Sequence, residues 1–179
     1  MRLGLAAAAA AALSTTSLVA RRSAPRMLSS SHSSAESLQR TLDSVHLDAP
    51  PRIQLTDAAA ERAAAHLGSV VVLDSSFNPP TRAHVAMVGS VAAAFGAPRA
   101  LLLLSKQNAD KPVSGATLVQ RLQMMELLEL PVPATVGATA HPLFADKPAA
   151  LRALCGPEAR IHLLVGYAAC RRISSLLGP

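Results

Sequence analysis

A chain of 179 residues is long enough for one domain with a real core, and with half its residues apolar but only 2% aromatic that core must be built of Leu, Val and Ala. The net charge of +6 does not describe a polyanion binder, because Arg2, Arg21, Arg22 and Arg26 precede the first acid, Glu36, and the remaining 13 basic and 11 acidic residues nearly cancel. One tyrosine and no tryptophan leave few platforms for stacking bases, so nucleic acid is not expected as a partner.

Residues 1–34 carry arginines, many serines and alanines, and no acid. That is the composition of an organellar import sequence, and Arg26-Met27-Leu28-Ser29-Ser30 resembles a mitochondrial processing site. The mitochondrion is therefore the expected location, with a plastid as the alternative. A start at Met27 would drop the early arginines and leave a cytoplasmic form. The apolar run Leu3 to Leu13 is too short and too alanine-rich to span a bilayer stably.

Residues 35–67 form a helical lead-in without a chemical motif. Leu38, Leu42 and Val45 share one helical face, Pro50-Pro51 breaks the helix, and Asp57 to Leu67 is expected to form a second short one.

From residue 68 to 179 strand and helix patterns alternate. A strand at Val70–Leu73 is followed by a helix at Thr81–Phe95, ended by Gly96-Ala97-Pro98. Ala100–Leu104 is a continuous apolar run, as a central parallel strand requires. A helix at Thr117–Leu130 puts Leu118, Leu122, Met125 and Leu128 inward and stops at Pro131 and Pro133. Then come a strand at Thr135–Thr139, a helix at Lys147–Leu154 and a strand at Arg160–Val165. This order predicts an α/β fold with a doubly wound, Rossmann-like parallel sheet. Its ligand crevice should lie at the carboxyl ends of the strands.

The stretch Asp74-Ser75-Ser76-Phe77-Asn78-Pro79-Pro80-Thr81-Arg82-Ala83-His84 falls where that crevice opens. Two prolines forbid an early helix, so the turn is a shaped loop. Its N–H groups at Ser75, Ser76 and Phe77 can form an anion nest, reinforced by the dipole of the helix that follows. Ser75 and Ser76 are small enough to admit a triphosphate, Phe77 is expected to wedge the loop against the core, and Asn78 to tie the turn. Thr81 and His84, three apart, share one helix face, where both can donate to phosphate oxygens. Cys155 and Cys170 are too few and too far apart for a zinc knuckle, and the histidines lack ligand spacing, so no protein-held metal is expected.

These residues closely resemble the nucleotide-binding signature of the nucleotidylyltransferase superfamily, in the Thr-x-x-His form of the eukaryotic nicotinamide-mononucleotide adenylyltransferases. Leu102-Leu103-Leu104-Ser105 before Asn108-Ala109-Asp110-Lys111, then Gln120-Arg121-Leu122-Gln123-Met124-Met125 and Leu164-Val165-Gly166-Tyr167, keep that family's order over about residues 68–167. The resemblance implies adenylyl transfer from ATP to nicotinamide mononucleotide, with Mg²⁺ accompanying ATP. It assigns His84 and Thr81 to the triphosphate and Lys111 to charge neutralisation, with Lys106 a competitor. Arg121 either binds phosphate or holds the loop by pairing with Asp110 or Glu126. Gly166 allows close backbone approach to substrate.

Ala168 stands where the family has an aspartate, and the chain stops at Pro179 before the family's Ser/Thr-rich basic motif. The chain therefore reads as C-terminally truncated. The alternatives are a catalytically impaired nucleotide-binding or interaction protein, or a nucleotidylyltransferase with another acceptor. A homo-oligomer is left open.

Overall fold

An interior strand of the sheet is the β-branched run the sequence points to, Ser69–Asp74, buried on both faces from Val70 to Leu73. It belongs to a computed structural model that describes residues 33–60, 68–107 and 114–165. The expectations for the import sequence, most of the second lead-in helix, Lys111, Gly166, Ala168 and Cys170 lie outside these residues.

The chain enters through α1 (Ala35–Asp43), where the Ser34 hydroxyl accepts the Ser37 N–H at 3.1 Å as an N-cap. A two-residue strand β1 (Gln54–Leu55) follows, then β2 (Ser69–Asp74) and α2 (Arg82–Phe95). Gly96, at φ 61°, closes α2 and donates its N–H to the Ala92 carbonyl, a left-handed cap that glycine adopts without penalty. Next come β3 (Ala100–Ser105), α3 (Leu118–Glu126), β4 (Ala134–Thr139), a 3₁₀ turn (Phe144–Asp146), α4 (Lys147–Cys155) and β5 (Arg160–Val165).

The five strands lie in the order β1-β4-β3-β2-β5. All neighbours are parallel except β1, which runs antiparallel to β4. The chain therefore winds from β2 outward through β3 and β4, then crosses to the other side of β2 to place β5. The reversal falls between the carboxyl ends of β2 and β5, the usual ligand position in such sheets.

Strand alternation sorts the core into two layers. Val71, Leu73, Leu102, Leu104, Val136 and Ala138 meet Leu38 and Leu42 of α1, Val88 and Ala92 of α2, and Leu122 and Met125 of α3. Val70, Val72, Leu101 and Leu103 meet Ala150, Leu151 and Cys155 of α4, together with Ile53 and Leu55. The result is an α/β fold around a mostly parallel sheet.

Two elements differ from the sequence reading. The helix expected to run to Leu130 ends at Glu126, because Leu128 turns its N–H to the Met125 carbonyl and the chain then straightens towards Pro131. Strand β1 was not anticipated. It packs so closely on β4 that a Cβ on Gly137 would stand 2.9 Å from Leu55 Cδ2.

Candidate functional site

Immediately after β2 the loop Ser75–Pro80 turns over the carboxyl edge. The Ser75 N–H continues the sheet ladder, donating to the Leu103 carbonyl at 3.3 Å. This corrects the expectation that its amide faces a ligand, and leaves the Ser76 and Phe77 N–H groups as the loop's donors. Phe77 sits at φ 44°, a strained position for a bulky residue, with its side chain fully buried among Val71, Leu73 and Val88. Its ring lies 5.1 Å from that of His84. Phe77 thus contributes its backbone to the loop and its ring to the core. The Asn78–Pro79 peptide is cis.

Thr81 is the N-cap of α2 and His84 its third residue. The Thr81 N–H donates to His84 Nδ1 at 2.9 Å, and Thr81 Oγ1 lies 2.8 Å from the same nitrogen. An N–H donor on Nδ1 requires that nitrogen to be bare, so the neutral ring carries its proton on Nε2. Nε2 lies 3.1 Å from Ser75 Oγ, directed into the bend. Burial pulls the His84 pKa below the ordinary 6.5, in agreement with a neutral ring. The expected role of Thr81 as a phosphate donor is modified, because here its hydroxyl is spent on the ring. No acidic residue occupies the first turn of α2, so its positive end is uncompensated.

Arg121 on α3 is 2% exposed and touches no carboxylate among the described residues. Its Nε donates to the Ala116 carbonyl at 2.9 Å, Nη1 to Ser76 at 3.2 Å, and Nη2 to Ser114. Burial works against its charge, but three carbonyl acceptors hold the fork in place. The expected partner Glu126 instead accepts the Ser33 N–H at 3.0 Å and its hydroxyl at 2.8 Å.

Asn78 reaches the same neighbouring loop as Arg121. Its Nδ2 donates to the Ser114 carbonyl at 2.7 Å, and its Oδ1 accepts the Ala116 N–H at 3.2 Å. Gly115 lies between them at φ +78°, where a Cβ would meet Asn78 Nδ2 at 2.7 Å. Arg121 and Asn78 therefore clamp residues 114–116 onto the bend. Lys106 is withdrawn from phosphate chemistry, since its ammonium donates to the Leu42 and Val45 carbonyls at 3.0 and 3.4 Å and caps the end of α1.

One pair escaped the sequence reading. Lys147, the first residue of α4, is 3% exposed and places its ammonium on Asp74 Oδ2, with a second bond to the Pro142 carbonyl at 3.2 Å. The signal available was Asp74 itself, an acid closing a buried strand and therefore in need of a cation.

No protein-family model matches the chain, and no solved structure matches it. Among curated proteins the chain is similar to the "Putative nicotinamide mononucleotide adenylyltransferase" of Schizosaccharomyces pombe, 40% identical over 107 residues. The match covers 58% of this chain and 41% of the yeast protein, so the chain spans less than half of that relative's length.

Proposed function

We propose that the chain transfers an adenylyl group from ATP to nicotinamide mononucleotide, forming NAD and pyrophosphate. One observation carries the reading: the His84 Nε2–H is aimed into a loop at the carboxyl end of β2, beside the point where the winding of the sheet reverses. The sheet is taken as doubly wound, with α1, α2 and α3 on one face and α4 on the other. The partial likeness to the yeast protein supports the choice of acceptor.

In this reaction a phosphate oxygen of the mononucleotide attacks the α-phosphorus of ATP. A new P–O bond forms as the bond to the β-phosphate bridging oxygen breaks, and pyrophosphate leaves. No covalent enzyme intermediate is required, so positioning and charge stabilisation suffice. The ATP polyphosphate lies against the N–H groups of Ser76 and Phe77 and the positive end of α2. His84 donates a hydrogen bond from Nε2 to an oxygen that gains charge, and it does so as a neutral imidazole. Thr81 fixes the ring through Nδ1, Ser75 Oγ holds the Nε2–H until phosphate replaces it, and Arg121 and Asn78 fix the loop. Lys111 neutralises phosphate charge and Gly166 admits the nucleotide, both on the strength of the resemblance. Mg²⁺ would enter with ATP as part of the substrate and would offset some of the charge of its phosphates.

Pyrophosphate release from ATP and nicotinamide mononucleotide by the purified full chain tests the reading. Activity should be present, and His84→Ala should lower kcat by about 10²–10³, the usual loss for one preorganised donor. Full turnover by that variant would overturn the assignment. Ala168, standing where the family has an acid, favours a second reading in which the protein binds nucleotide without turnover. Calorimetric uptake of MgATP without pyrophosphate release would select it.

A further inference from the structure

We infer that Lys147 is a second polyphosphate-binding cation of this site, held by Asp74 until the anion arrives. The inference rests on the reading of the bend as a polyphosphate site and adds a residue to it.

Three observations lead there. The first is that the position of Lys147 does nothing for its own helix. It is the first residue of α4, at the end where the helix dipole disfavours a cation. A buried ion pair also pays a desolvation cost that apolar residues of similar volume avoid, so pairing with Asp74 is a poor device for stability alone.

The second concerns Asp74. It is the last residue of β2 and adjoins Ser75, so a carboxylate lies at the base of the loop that is to hold a polyanion. Unneutralised, that charge opposes binding. The ammonium of Lys147 cancels it, which makes the binding of polyphosphate sensitive to this one pair.

The third is the unused hydrogen-bonding capacity nearby. An ammonium has three donors, and Lys147 spends two, on Asp74 and on the Pro142 carbonyl. On the adjacent strand, Ser105 lies two residues beyond Leu103, the register partner of Asp74, and on the same sheet face. Its hydroxyl is buried without a hydrogen-bond partner among the described residues. An ammonium donor and a hydroxyl donor thus remain unspent on the α4 side of the carboxyl edge. Phosphate oxygens, which only accept, are the matching chemistry. On binding, Lys147 shares its ammonium between Asp74 and the terminal phosphates of the nucleoside triphosphate.

Calorimetric titration of the full chain with inorganic triphosphate in Mg²⁺ tests this, with a melting temperature recorded for each variant. Asp74→Asn removes the like charge and releases the ammonium, and should tighten binding about tenfold, the scale of one charge at this range in a partly solvated site. Lys147→Met should weaken binding about tenfold or more by the same reasoning. The double variant Asp74→Asn/Lys147→Met removes both charges together and guards against a misfolded single variant. It should bind about tenfold more weakly than Asp74→Asn alone.

A purely structural pair behaves otherwise: Asp74→Asn would bind no tighter than the wild type, and the double variant would match it. Either result overturns the inference. His84→Ala separates the two levels. If it weakens triphosphate binding while Asp74→Asn does not tighten it, the anion site stands and the role of Lys147 falls. If the wild type takes up no triphosphate, both fall.

Discussion

His84 is held at Nδ1 by Thr81 and meets the Ser75 hydroxyl through Nε2. The Thr81 N–H on Nδ1 is compatible only with a bare nitrogen, so protonation there sets one donor against another. Burial lowers the pKa of His84 from 6.5, so the folded state binds its proton less readily than the unfolded chain. The stability contributed by the neutral ring is therefore complete above 6.5 and is lost as pH falls through the lower folded value. An NMR titration should give a His84 midpoint below 6.5 in the free protein. Saturating triphosphate should move that midpoint upward, because a nearby anion favours the charged ring. A midpoint that does not respond to triphosphate would place the anion elsewhere. Thr81 and His84 could be read from the sequence as neighbours, since three-residue spacing on a helix dictates it. That the threonine serves the ring could not, because a hydroxyl at that spacing can turn either way.

Helix α1 shows how an element gains its stability from tertiary packing. Nine residues are too few to persist alone in water, whatever their capping. Packing supplies the difference: Leu38 is fully buried and Leu42 nearly so, in the layer shared with α2 and α3. Polar contacts fix both ends, with Ser33 on Glu126 at the start and Lys106 on the Leu42 and Val45 carbonyls at the finish. Leu38→Ala should cost about 2–5 kcal/mol, the range for a fully buried leucine. Urea unfolding followed at once by far-ultraviolet circular dichroism and by calorimetric stability should show one shifted transition. A separate early transition for α1, with the sheet unaffected, would contradict its place in the shared core. The apolar face of α1 was legible in the spacing of Leu38, Leu42 and Val45. Strand β1 was not, because two residues carry no period to detect.

At the scale of the molecule, α/β alternation sets the sheet and the sheet sets the site. Winding outward from β2 and then back across it concentrates loop ends at one carboxyl edge, where the bend, the start of α2 and the start of α4 meet. Among the described residues no helix is long and apolar enough to cross a membrane. Residues 1–34 are proposed to direct the chain to the mitochondrion. A fluorescent reporter fused after Ser34 should accumulate in mitochondria when started at Met1 and stay diffuse when started at Met27. Accumulation in a plastid, or a diffuse signal from both starts, would refute that address.

Local chemistry in the sequence was enough to determine the order of strands and helices from β2 onward, the bend at Ser75–Pro80 and the nearness of Thr81 to His84. Each depends on residues close together in the chain, where φ limits, periodicity and caps act directly. Tertiary structure alone decided how the cations are used. Arg121 and Lys106 are turned to backbone carbonyls, and Lys147 meets Asp74 across 73 residues. A long side chain takes whichever acceptor folding brings within reach, and only the sheet, by placing the ends of β2 and β3 beside α1, α3 and α4, determines which acceptor that is.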